Sequence, residues 1–111
     1  MNVKIEEPVR AEARVLTGAL AMITARVPIW NLEDEPVTVS VYDAIKAPDG
    51  KIVTTTETLY GLNHGEHAEI LDELLRVQNP EEGLKGYELH VTVACCGTVL
   101  DTQSVPIVVV S

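Results

Sequence analysis

Two short clusters in this sequence carry side chains able to hold a metal or to react: His64-Gly65-Glu66-His67 and the adjacent pair Cys95-Cys96. Two imidazoles near two thiols would suit zinc or copper, which take nitrogen and sulfur ligands. The spacing opposes this, because residues three apart on a strand face opposite sides and His64 and His67 converge only if a loop holds them. Cys95 and Cys96 are divided between the two faces in the same way, which argues against an ordinary disulfide joining them. No metal site is therefore assigned, and His64 and His67 stand as the candidates should one exist. Cys95 reads as a core thiol. Cys96, outward by parity, is the candidate for a redox-sensitive or dimer-linking thiol, although its neighbours Ala94, Gly97 and Thr98 include no basic group to favour the thiolate.

Hydrolytic chemistry asks for two carboxylates across a cleft or a nucleophile beside its base. The acids instead cluster as Glu6-Glu7, Glu33-Asp34-Glu35, Glu66 to Glu73 and Glu81-Glu82, mostly where loops and strand ends are expected. No G-x-S-x-G elbow, H-E-x-x-H helix or phosphate-cradling glycine loop occurs. The sequence thus predicts no catalytic residue, no cofactor and no enzyme. Seventeen acidic against eight basic residues give a net charge of −9, which repels phosphate backbones and disfavours nucleic acid and anionic membrane as partners. No stretch approaches the roughly 20 apolar residues of a helical membrane span. The segment after Met1 has neither a basic leader nor an apolar run, so the expected compartment is cytoplasmic if Met1 is the native start and exported if a signal was removed.

These residues must be positioned by strands. At 111 residues the expectation is one domain over 1–111, and its apolar residues are mainly Val, Leu, Ala and Ile, with no Phe and one Trp. Such a core is aliphatic and β-branched, which suits pleated sheets. From Ala21 to Ile29 every second residue is apolar, and Val37, Val39 and Val41 repeat the pattern after the acidic turn Asn31 to Pro36. Ala47-Pro48-Asp49-Gly50 is the strongest turn signal, and a threonine-rich strand follows over Lys51 to Tyr60. Glu66 to Gln78 is ambiguous. Its leucines fit a helical stripe, yet it lies among strands, and a strand with a bulge is favoured slightly. Tyr87 to Cys96 alternates cleanly, Gly97-Thr98 is the expected hairpin turn, and Val99 to Val110 the last strand, with an edge position or a bulge at Pro106. Seven to eight strands at this spacing define an all-β, two-sheet antiparallel sandwich.

Three stretches resemble the immunoglobulin-like sandwiches that occur as accessory domains in glycoside hydrolases and prokaryotic surface proteins. They are WNLEDEPVTVSVY with the strand before it, APDGKIV at 47–53, and NPEEGLKGYELHVTV leading into GTVLDTQSV. Together they cover most of residues 20–105. The resemblance implies that Tyr87 is a tyrosine-corner residue with its ring turned inward. Leu89 stands where antibody domains carry a cysteine, so an antibody-type domain is excluded. These motifs specify architecture and leave activity open.

Function is then expected at surfaces. Tyr42 and His90 should share an outer face with Ser40 and Thr92 if their strands are in one sheet. Trp30 has outward parity. Val105-Pro106-Ile107-Val108-Val109-Val110 is apolar on both faces, and must be covered within the fold or by another chain. The reading is a non-catalytic interaction or assembly module, self-associating through a sheet edge or the C-terminal strand, with Trp30, Tyr42, His90, Cys96, Ile107 and Val109 as contact candidates. The partner is expected to be protein, most simply a second copy of the chain, and a small-molecule ligand is disfavoured. Two alternatives remain: an accessory carbohydrate or small-ligand domain using Trp30, Tyr42 and Tyr60, and a metal-binding sandwich using His64 and His67.

Overall fold

The computed structural model describes residues 2–16 and 19–110, with side chains at all of these except 81 and 82. Among the described residues nine strands run in order: β1 Val3–Ile5, β2 Arg10–Leu16, β3 Leu20–Asn31, β4 Val37–Lys46, β5 Ile52–Leu62, β6 His67–Gln78, β7 Glu88–Cys95, β8 Thr98–Pro106 and β9 Val108–Val109. The only helical segment among the described residues is a 3-10 turn over Glu81–Leu84. The all-β expectation holds, with extra short strands at the two ends.

One sheet is built on β3. Its first edge pairs with β1 near Asn31 and with β2 near Leu20, and its second edge pairs with β6. The other sheet has the order β5-β4-β7-β8, antiparallel throughout. Period-two alternation decides which face each residue takes. Ala21, Ile23, Ala25, Val27 and Ile29 of β3 are fully buried, and they oppose Val39, Val41 and Ile45 of β4 and Leu89, Val91 and Val93 of β7 in one aliphatic core. Tyr87 is 5% exposed, so its ring is inward as the resemblance implied.

The ambiguous segment is strand β6, and its bulge is real. Ile23 pairs with Leu75 and Ala25 with Asp72, so β6 carries one more residue than β3 over this interval. The Asp72 carboxylate accepts the Leu74 amide at 3.0 Å, which gives the bulged backbone a local partner. Leu71 and Leu74, which suggested a helical stripe, are 45% and 72% exposed.

The C-terminal run differs from a single strand. After Pro106, which cannot donate to a ladder, the chain leaves β8 and crosses to the other sheet, where β9 pairs in parallel with β2 at Glu12 and Ala13. Val105 and Ile107 pack on the core, while Val108 and Val109 stay 57% and 47% exposed. The run is therefore covered within the fold at its start and open at its end.

The hairpin turn between β7 and β8 also shifts. Cys96 and Gly97, not Gly97 and Thr98, are its central residues, with φ of 55° and 80°. Two positive φ values in a two-residue loop make a type I′ turn, whose twist matches that of paired strands. Cys96 therefore sits in the turn and not on the outward face of a strand.

At the same end of the sandwich as this hairpin, buried Asn31 joins two loops. Its side-chain amide donates to the carbonyls of Glu35 and Asn63, each at 3.0 Å, and its side-chain oxygen accepts the Glu33 amide at 2.9 Å. The asparagine that opens the N-x-x-x-x-P-V stretch is thus the post that fixes both the β3–β4 loop and the β5–β6 turn.

Candidate functional site

Four places bring polar or reactive groups together. On the outer face of the β3 sheet, Trp30 and His67 are register partners. Their rings stack with centroids 4.7 Å apart and planes at 14°. The His67 Nδ1 lies 2.6 Å from Glu6 Oε1, so the carboxylate of the β1–β2 connection fixes the imidazole over the indole. His64 is exposed in the β5–β6 turn. The two histidines proposed as metal candidates are therefore not brought together: His67 is engaged by Trp30 and Glu6. Among the described residues, no three His, Cys, Asp or Glu side chains converge as a metal site requires.

On the outer face of the other sheet, β4 and β7 are neighbours, so Tyr42 and His90 share one surface with Ser40 and Thr92 as expected. Tyr42 is 45% exposed. A hydrogen bond with Glu57, its register partner, and the charge of that carboxylate push the phenol upward in pKa. His90 Nδ1 pairs with Ser104 Oγ at 3.0 Å, and Nε2 lies 3.8 Å from Glu88 Oε1. Tyr60, offered as an aromatic platform, is instead turned inward and packs on the core. Ile107 is likewise a core-packing residue and not an open contact, whereas Val109 is open at the β9 edge. Beside that edge, Val9, Ala11, Val105, Pro106 and Val108 line a shallow groove of about 380 Å³ together with Arg10 and Glu12.

The third place lies inside the sandwich. Asp43 of β4 and Asp72 of β6 are 1% and 4% exposed and project from opposite sheets, which corrects the expectation that the acids fall in loops and strand ends. Neither Asp43 oxygen has a donor beside it, and the group it faces is the Asp72 carboxyl. Burial raises the Asp43 pKa to about 8, reinforced by its hydrogen bond to Asp72 and the charge there. Protonated, Asp43 supplies the missing donor itself. Burial works against the charge on Asp72, but hydrogen bonds from Asp43, the Thr56 hydroxyl and the Leu74 amide, with Arg76 nearby, hold its carboxyl below the ordinary range. Strict alternation through Val37, Val39 and Val41 put Asp43 on the inward face, so the signal was in the sequence. Asp72 follows the inward parity of Ala68 and Ile70 once this segment is a strand, and the packing of the two sheets brings it against Asp43.

Such an acid pair splits into one neutral and one ionised group, the arrangement used for acid-base work where substrate can reach it. Here both carboxyls are walled in by the two sheets, so the pair acts on the fold. The fourth place is the hairpin tip, where Cys95 Sγ and Cys96 Sγ are 3.1 Å apart. Parity on a regular strand had separated them.

Comparison with known proteins finds the same architecture in glycosidases. The chain superposes on a β-glucuronidase from glycoside hydrolase family 2 with a TM-score of 0.87 and 18% identity, over 96% of this chain and 12% of that one. A putative β-galactosidase from Bacteroides fragilis gives 0.82 and 20%, over 96% of this chain and 17% of that one. An exo-chitosanase from Amycolatopsis orientalis gives 0.71 and 18%, over 93% and 12%. The chain spans less than a fifth of the length of each, and at these identities the likeness is one of fold. No family model and no curated protein matches the sequence. The immunoglobulin-like sandwich that the sequence resembles is the fold found.

Proposed function

We propose that this chain is a non-catalytic β-sandwich module of a glycosidase-like protein, acting through protein contacts at its C-terminal edge. The observation that carries the reading is the superposition. Nearly the whole chain coincides with a segment of 12–17% of much larger glycosidases, which supports a structural unit working alongside others. The contact is assigned to β9 because this strand exposes Val108 and Val109 beside an apolar groove, and an open strand edge is a ready template for another strand. A second copy of the chain is the simplest occupant, since a paired edge would be self-complementary.

Light scattering coupled to size exclusion, over a hundredfold concentration range, tests this. A dimer that dissociates on dilution and is lost when the chain ends at Ile107 is the expected result. A strict monomer at every concentration overturns self-association.

Carbohydrate binding is favoured by one observation, the Trp30-His67-Glu6 cluster, which sets an aromatic ring beside a fixed imidazole and a carboxylate. Titration with β-glucuronides, β-galactosides and chitosan oligomers, read by Trp30 fluorescence, tests it. A saturable change abolished by W30A supports that reading, and an unchanged spectrum removes it.

A further inference from the structure

We propose that Cys95 and Cys96 form a vicinal dithiol at the tip of the β7–β8 hairpin, a modification site that closes to a disulfide within the hairpin on reaction with a low-molecular-weight disulfide. Three observations place the thiols for this. Cys95 is the last residue of β7, while Cys96 leaves the strand with a φ of 55° as the first central residue of the turn. That left-handed step swings the second Cβ back from the opposite face, and the sulfurs come to 3.1 Å, in hydrogen-bond contact and unbonded. Cys96 is exposed and open to reagents, while Cys95 is half-buried against the core and reached through Cys96.

The chemistry balances in two exchanges. The Cys96 thiolate attacks one sulfur of the reagent, whose S–S bond breaks and releases one thiol. The Cys95 sulfur, losing its proton to solvent, then attacks the Cys96 sulfur and releases the second thiol. Two S–H bonds are lost, one S–S bond forms, and the reagent is reduced to two thiols. The hydrogen bond to Cys96, and then burial, raise the Cys95 pKa, which keeps its proton in place and leaves Cys96 as the first nucleophile. Intramolecular attack by a sulfur already in contact outcompetes a second reagent molecule. Adjacent Cα atoms about 3.8 Å apart are closer than the usual 4.4 Å or more of a disulfide, so the ring is strained and readily reduced. This makes the site reversible.

The test treats the full chain with excess oxidised glutathione, removes the reagent, alkylates under denaturing conditions and reads intact mass. The expected product has lost two hydrogens, carries no alkyl group and no glutathione, and runs as a monomer on a non-reducing gel. C95S and C96S should each stop at a single glutathione adduct. A wild-type product that retains glutathione, keeps alkylatable thiols or links into dimers overturns the proposal.

Discussion

Asp43 of β4 and Asp72 of β6 meet inside the sandwich, one from each sheet, with Asp43 protonated against an ionised Asp72 that also accepts the Thr56 hydroxyl. The pair ties the stability of the fold to pH. An unfolded Asp43 loses its proton near pH 3.8, whereas the folded one keeps it to about 8. Over that window the unfolded chain binds fewer protons than the folded one, so stability falls as pH rises and levels off above about 8. Asp72, held below its ordinary value, adds stability that is lost as pH falls under 3.8.

The replacement D43N tests this sharing. Its amide keeps the volume and donates to Asp72 without titrating. Thermal melts between pH 4 and pH 8 should show wild-type stability declining more steeply than the variant's, by at most about 1.4 kcal/mol per pH unit. At pH 8 the variant should be the more stable protein. Parallel profiles for the two proteins would remove the shared proton.

Asn31 is the polar post that fixes the β3–β4 loop and the β5–β6 turn. N31A leaves the Glu35 and Asn63 carbonyls without its amide donor and the Glu33 amide without its acceptor. The expected loss is about 2–3 kcal/mol in urea unfolding, given the cost of stranded polar groups in part-buried positions. A change below about 0.5 kcal/mol, the level typical of neutral surface substitutions, would mean that water replaces all three bonds.

The β7–β8 turn makes an opposite pair of predictions. C96N gives the Asn-Gly pair that type I′ turns favour and should raise stability by a few tenths of a kcal/mol. G97A should lower it by about 1–2 kcal/mol, because φ is 80° and a Cβ there meets no other atom within 4 Å, so backbone strain is the whole effect. Equal and small effects in chemical denaturation would show that the turn does not hold both residues left-handed.

Truncation separates the β9 edge from the core. A chain ending at Ile107 keeps the residue that packs inward but loses the parallel pairing at Glu12 and Ala13 and the Val110 amide bond to Ala13. Its circular dichroism should match the full chain, with self-association abolished. Retained dimers would move the interface elsewhere, the outer face of Tyr42 and His90 being the next candidate.

Alternation by itself determined the main strands and their inward faces, because a side-chain period of two leaves no freedom once one face is apolar. It placed Ala21 to Ile29, Val37 to Val41 and Tyr87 to Val93 correctly and set Trp30, Tyr42 and His90 outward, while the pairing of β4 with β7 joined the last two on one surface. Only the tertiary structure decided the rest, and in each case the cause is a departure from regular strand. The β6 bulge, which follows Asp72, let Leu75 and Val77 rejoin the core face that Ala68, Ile70 and Asp72 already shared. The left-handed φ at Cys96 brought two thiols together that parity had divided. Pro106, unable to donate to the β8 ladder, released the last residues to the other sheet and split the apolar run into a covered half and an open one. A strand's pattern fixes its faces, but bulges, turns and sheet crossings are set by which neighbour is there to receive the freed backbone groups.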